Sequence, residues 1–209
     1  YKSLDEKKTL ENKFLQTQLQ LKEQELKFLK MQIHPHFLFN TLNTLYGFAL
    51  KKSEKAPEMI LKLSNLLDYI LYQVDKPKVL LQDEINHIVD YISLEKSRFQ
   101  ESLQISFDKV LMDKKLEITP MLLLPFVENA FKHGNQIDGV LKVSMDLQVD
   151  ENELIFRIEN SAIKKQNSKN GIGLENIKKR LEMVYENQYF LEILSEEKMF
   201  KVNLKIAVK

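Results

Sequence analysis

Apolar residues recur at helical spacing over roughly the first hundred positions and then change to strand-like alternation. In residues 1–33, Leu15, Leu19, Leu26, Leu29 and Ile33 form one stripe that passes over Lys22. Leu10, Phe14, Leu21, Phe28 and Met31 form a second. Two apolar stripes on a Leu-, Lys-, Glu- and Gln-rich segment without Gly or Pro predict a helix paired with another in a parallel coiled-coil dimer. A single amphipathic helix packed on its own domain is the alternative. Pro35 then removes a backbone donor and crowds the preceding turn, which predicts a kink. Beyond it Phe37, Leu38, Phe39, Leu42, Leu45 and Tyr46 are apolar, while His36, Asn40, Asn43 and Gly47 fall on one polar, small-residue face.

Lys51 to Ala56 is a short charged link, and Pro57 suits a helix start. Met59, Ile60, Leu63, Leu66, Leu67, Ile70 and Leu71 then make a helical stripe, predicting an antiparallel hairpin with the preceding helix. Two such hairpins from two chains make a four-helix bundle. A turn around Pro77 leads to a third helix, with Asp83 as its expected N-cap and an apolar stripe running to Phe99. Past Ser102, Leu103, Ile105 and Phe107 alternate as a strand. Thr119-Pro120 reads as an N-cap and first helical position for a buried helix over 121–132. Val140–Gln148 and Leu154–Asn160 predict a hairpin, as do residues 189–208 around Glu196-Glu197-Lys198. Between the hairpins lie a polar, basic loop over 164–170 and a glycine turn opening a helix to Glu186. The class is therefore α+β, with residues 1–100 helical and residues 101–209 helices against a mostly antiparallel sheet.

Composition narrows the chemistry. The 209 residues carry 31 basic and 30 acidic side chains, so the net charge of +1 gives no support for a nucleic-acid-binding surface. Without cysteine, disulfides, thiolate metal sites and cysteine nucleophiles are excluded, and a reducing cytoplasm suits the chain. No apolar run is long enough to suggest a membrane span, and no signal peptide is visible. The start at Tyr1, in mid-helix pattern, is expected to mark a fragment of a longer protein.

Three motifs carry candidate chemistry. In Pro125-Phe126-Val127-Glu128-Asn129-Ala130-Phe131-Lys132-His133-Gly134, Glu128, Asn129, Lys132 and His133 cluster on one helix face. A carboxylate, an amide, a cation and an imidazole together suit Mg2+ and phosphates, with the Asn129 oxygen on the metal and Lys132 as counter-charge. A merely solvated face is the competing reading. Asn170-Gly171-Ile172-Gly173-Leu174 opens a helix, where backbone N–H groups and the helix dipole favour an anion. It is neither a Walker loop nor a complete Rossmann fingerprint. Ile158-Glu159-Asn160-Ser161 ends a strand, and a side chain there can reach a base edge.

The order of these motifs resembles the ATP-binding domain of the GHKL superfamily, the Bergerat α/β sandwich shared by histidine kinases, gyrase and MutL. Upstream, Gln32-Ile33-His34-Pro35-His36-Phe37-Leu38-Phe39-Asn40-Thr41-Leu42-Asn43 resembles the phosphoacceptor region of LytS/YehU-type sensor histidine kinases. The resemblance covers residues 30–208. It implies His36 as phosphoacceptor and Asn129 as magnesium ligand, with Glu128 the acidic residue beside it and a possible orienting group or base. It implies nucleotide contacts from Lys132, His133, Gly171, Gly173, Leu174, Asn176 and Arg180. Asn160-Ser161 stands where the superfamily has the Asp of its Asp-x-Gly-x-Gly box. Asn160 can still accept a hydrogen bond from adenine, without the negative charge.

ATP and Mg2+ are the implied cofactors. The implied reaction is autophosphorylation of His36, followed by transfer to an aspartate on a response regulator, often one of LytTR type. A homodimer is implied, in the cytoplasmic portion of a bacterial inner-membrane-anchored protein. A non-catalytic dimeric regulator with a degenerate ATP site is the alternative. A metal site on His34-x-His36 is a poorer third, since zinc takes three or four protein ligands.

Overall fold

The computed structural model describes residues 8, 11–19, 35–73, 76–112, 115–163 and 172–208. Residues 11–19 are helical. The remainder of the expected coiled coil, His34, the 164–170 loop and Gly171 lie outside the described residues. The first labelled helix, α1 (Pro35–Leu50), begins at the proline expected to kink the chain. It turns through Lys51 and Lys52 into α2 (Lys55–Asp68), which continues as one π-helical turn, Tyr69–Gln73. The third helix, α3 (Leu81–Phe99), begins two residues before Asp83, which sits in the first turn instead of capping it.

Strand β1 (Val79–Leu80) precedes α3 and pairs antiparallel with β3 (Glu117–Ile118). In the chain, β2 (Leu103–Leu111) follows α3 and precedes β3, and it belongs to a separate sheet. The others are α4 (Leu124–His133), β4 (Leu141–Val149), β5 (Glu153–Ser161), α5 (Ile172–Tyr185), β6 (Tyr189–Ser195) and β7 (Met199–Ala207). The five-stranded sheet has the order β2-β4-β5-β7-β6. Its β2–β4 pair is parallel and the other three are antiparallel, giving the mostly antiparallel sheet expected. A parallel pair needs a crossover, and here that crossover contains α4. The topology thus lays the candidate site helix across the sheet.

Alternation explains which face it covers. Leu141, Val143, Met145, Leu147 and Val149 of β4 are buried, as are Leu154, Phe156 and Ile158 of β5 and Val202, Leu204 and Ile206 of β7. The helices pack on that face, with the Phe126 and Phe156 ring centroids 6.3 Å apart. Leu66 of α2 and Ile85 and Ile88 of α3 join the same core cluster. The helical half and the sheet half therefore share one apolar core. No described helix is long and apolar enough to cross a membrane.

Gly134 ends α4 against the sheet, where a Cβ would collide with the Ala130 carbonyl and the Leu141 side chain and come within 3.3 Å of Asn160 Nδ2. Gly134→Ala is therefore expected to lower stability by about 1–3 kcal/mol. Gly47 lies inside α1 with nothing within 4 Å of its would-be Cβ. Gly47→Ala should gain about 0.5–1 kcal/mol. Denaturant melts of the two variants check the opposite signs.

Candidate nucleotide and phosphoacceptor site

Helix α4 starts later than Thr119-Pro120 suggests. Pro125 lies in its first turn, and Leu123 precedes it without a side-chain cap of its own. Residues 119–121 instead leave β3 through a turn in which Met121 has φ 57°. The cap comes from a distant carboxylate. Glu84 Oε1 accepts hydrogen bonds from the Leu123 and Leu124 N–H groups at 2.9 and 3.1 Å, and Oε2 accepts one from the Met121 N–H at 2.9 Å. The Tyr69 hydroxyl donates to Oε2 as well. A carboxylate at a helix N-terminus satisfies orphan donors and meets the positive end of the helix dipole.

Arg180 of α5 closes this node. Its guanidinium donates to the Met121 carbonyl at 3.1 Å and to that of Pro120. Burial lowers the Arg180 pKa, while Glu84 and Tyr69 pull it up. Burial and Glu84 together push the Tyr69 phenol far above its ordinary value. The Tyr69 ring stacks on His87 at 3.9 Å. Four side chains and one turn thus join the end of α2, the start of α3, the entry to α4 and the middle of α5.

On α4, Phe126, Val127, Ala130 and Phe131 face the core, as their spacing predicts. Glu128 is also buried, Asn129 is half-buried, and Lys132 and His133 are exposed. Glu128 and Lys132 line a cleft of about 880 Å3 together with His36, Tyr91, Glu95 and Arg98. Aromatic contacts hold its walls together. Phe37 stacks on Tyr91 at 4.6 Å, and Tyr91 meets Phe131 edge-on at 5.6 Å. The ring of His36 is exposed, with Asn40 Nδ2 3.2 Å from its Nδ1.

The acidic groups of the cleft are unusual. Burial pushes the Glu128 carboxyl up to about 8, with Lys132 pulling it down and Glu95 and Glu84 adding to the rise. Burial pushes Glu95 up to about 7, against the pull of Arg98, with which it forms an ion pair, and of a hydrogen bond from Tyr91.

The other expected contacts surround α4. Asn160, buried at the end of β5, donates from Nδ2 to the Ser161 carbonyl at 3.1 Å and lies beside Gly134. Ser161 Oγ donates to the Asn135 carbonyl at 2.7 Å, tying the strand end to the chain leaving α4. On α5, Gly173 has open space where a Cβ would project, Leu174 is buried and Asn176 is half-buried. Arg180 is turned inward onto the carbonyls of Pro120 and Met121. Among the described residues no group of three or more His, Asp or Glu forms a metal cage.

Glu84, Tyr69, Glu95 and Arg98 were not singled out from the sequence. The sequence does carry a signal for the two carboxylates. Glu84 and Glu95 fall on the buried stripe of α3 with Leu81, Ile88, Tyr91 and Ile92. A carboxylate on such a stripe needs a partner.

Glu84→Ala leaves three N–H groups without their acceptor and is expected to cost about 3 kcal/mol or more. A loss under about 1 kcal/mol in denaturant melts would contradict the capping role. Both Glu95 and Glu128 have folded-state pKa values above the 4.5 of a free Glu. The unfolded chain therefore ionises them first as pH rises, and stability falls from about pH 4.5 to about 8. Glu128→Gln should flatten that fall, which melting temperatures across the window measure.

Residues 24–103 match the family model described as histidine kinase. Sensor histidine kinase BtsS of Escherichia coli strain K12 is 32% identical over 181 residues, covering 84% of this chain and 32% of that protein. Sensor protein LytS of Bacillus subtilis strain 168 is 30% identical over 197 residues, covering 87% of this chain and 33% of that protein. Among solved structures, histidine kinase ThkA in complex with response regulator protein TrrA aligns at TM-score 0.49 and 14% identity, over 84% of this chain and 60% of that one. The chain spans about a third of the length of these curated relatives. It belongs to the histidine kinase family, with the sensor kinases of BtsS and LytS type among its relatives.

Proposed function

We propose that this chain is the acceptor and nucleotide-binding portion of a two-component sensor kinase, which phosphorylates itself on His36 from ATP and passes the phosphoryl group to an aspartate of a response regulator. One observation carries the reading. The exposed imidazole of His36 and the α4 residues Glu128 and Lys132 line the same cleft, with a volume suited to a nucleotide's phosphates.

The chemistry follows from positioning and charge neutralisation, which dominate phosphoryl transfer. An imidazole nitrogen attacks the γ-phosphorus in line as the bond to the β-bridging oxygen breaks and ADP leaves. Asn40 steadies the ring. Lys132 neutralises phosphate charge, Asn129 would ligate Mg2+, and the backbone at the start of α5, around Gly173, meets the triphosphate. His133, Leu174 and Asn176 complete the nucleotide contacts. Bound Mg2+ supplies further charge neutralisation. Arg180 acts through its carbonyl partners, by fixing the turn that enters α4. Asn160 accepts from the adenine edge.

We assign residues 1–100 to dimerisation and acceptor duties and residues 101–209 to nucleotide binding. A homodimer suits α1, whose Phe39, Leu42, Tyr46 and Leu50 form an exposed apolar stripe at helical spacing, with Ile60 and Leu61 exposed on α2. A second hairpin covers such a stripe in a four-helix bundle, continuous with a coiled coil upstream. A response regulator, including one of LytTR type, is the partner this reading implies. Use of ATP places the chain on the cytoplasmic side of a membrane-anchored protein.

Incubation with γ-labelled ATP and Mg2+ is expected to give an acid-labile, base-stable label that His36→Gln abolishes and His34→Asn retains. Label surviving His36→Gln would falsify the acceptor assignment. Asn129→Asp should weaken Mg-ATP binding, and unchanged affinity would count against that ligand. ATP binding without any label in the wild-type chain would favour a non-catalytic regulator, a reading that Asn160 in place of aspartate supports.

A further inference from the structure

A phosphoryl group arriving on one imidazole nitrogen leaves the ring as an imidazolium, and the neutral phosphohistidine forms only when the other nitrogen loses its proton. Helix α1 contains no carboxylate to take it. The residue after His36 is Phe37, whose ring is committed to Tyr91. Two carboxylates line the cleft from other helices, Glu128 of α4 and Glu95 of α3.

They are placed differently. Glu128 is the neighbour of Asn129 and is influenced by Lys132, on the nucleotide side of the cleft. Glu95 lies one helical turn beyond Tyr91, the residue on which Phe37 stacks, and so on the wall of the cleft braced against α1. Its carboxylate is fixed on both sides, by a hydrogen bond from Tyr91 and by the ion pair with Arg98. Arg98 is itself held with its guanidinium 4.4 Å from the centre of the Phe99 ring.

We propose that Glu95 takes the imidazole proton of His36 during phosphoryl transfer and returns it in the reverse reaction, with Arg98 and Tyr91 as the residues that position it. This rests on His36 being the acceptor. The bond from the ring nitrogen to phosphorus forms as the bond from phosphorus to the β-bridging oxygen breaks. The electron pair leaves with ADP, and the ring proton passes to the Glu95 carboxylate and then to solvent. The charged and titratable groups around Glu95 are Tyr91 and Arg98 on α3, Glu128 and Lys132 on α4, and His36 on α1. Burial raises Glu95 to about 7, where a base is both available and strong enough.

The test is the single-turnover rate of self-phosphorylation of the 209-residue chain across pH 6–9, beside the affinity for a non-hydrolysable ATP analogue and a thermal melt. Glu95→Gln is expected to slow the rate about 100-fold or more, to leave analogue affinity unchanged, and to remove the rise in rate near neutral pH. Glu95→Asp, which keeps the carboxylate, should be faster than Glu95→Gln. A Glu95→Gln rate equal to wild type, or equal slowing in the Asp and Gln variants, overturns the proposal. His36→Gln run in parallel separates the two ideas. Label retained there removes the acceptor reading, while label lost there with a normal Glu95→Gln rate removes only the role of Glu95.

Discussion

The hydrogen bonds from Glu84 to the entry of α4 are the constraint on which the rest of the site depends. A short helix that carries Glu128, Asn129, Lys132 and His133 needs a fixed beginning, and its own sequence supplies no cap. The carboxylate that supplies it belongs to α3, and the tyrosine that supports the carboxylate belongs to the end of α2. Arg180 of α5 grips the same turn through its carbonyls. A shift at the end of α2 therefore bears on both sequence segments proposed to hold the nucleotide. Buried charge without such partners is strongly unfavourable. The node therefore favours one arrangement of the helical half on the sheet half.

The cleft near the other end of α3 shows the complementary use of burial. Around Glu84 every carboxylate oxygen is occupied by a donor. Around Glu95 and Glu128 desolvation is the largest influence, and it raises both carboxyls. Groups of that kind are costly to ionise in the resting fold and suited to proton transfer near neutral pH. One helix, α3, thus carries a structural carboxylate near one end and a reactive one near the other, on the same stripe of its surface.

Much of the fold is legible in the sequence because its signals are periodic. The apolar stripes mark α1, α2 and α3, and strict alternation marks β4, β5, β6 and β7, in the expected order and with nearly the expected bounds. What the sequence hides is set by tertiary partners. Thr119-Pro120 is a strong local start signal, yet α4 begins at Leu124, because the acceptor for its first N–H groups lies about forty residues upstream in α3. The β1–β3 ribbon has two residues per strand, too few for any period. Arg180 reads as a nucleotide contact from its place after the glycine turn, but only coordinates reveal the carbonyls it meets. The motif residues of the cleft were identifiable one by one, while their convergence with Glu95 and Arg98 depends on how α1 and α4 pack against α3.

The central claim is that His36 and the nucleotide's phosphates occupy one cleft of this chain. Paramagnetic broadening tests it directly. A complex of 15N-histidine-labelled protein with a non-hydrolysable ATP analogue is titrated with Mn2+ in place of Mg2+, and the His36 imidazole signals are assigned by their loss in His36→Gln. The account predicts that the His36 signals broaden strongly along with those of His133. Signals from His36 that stay sharp while those of His133 disappear would contradict it.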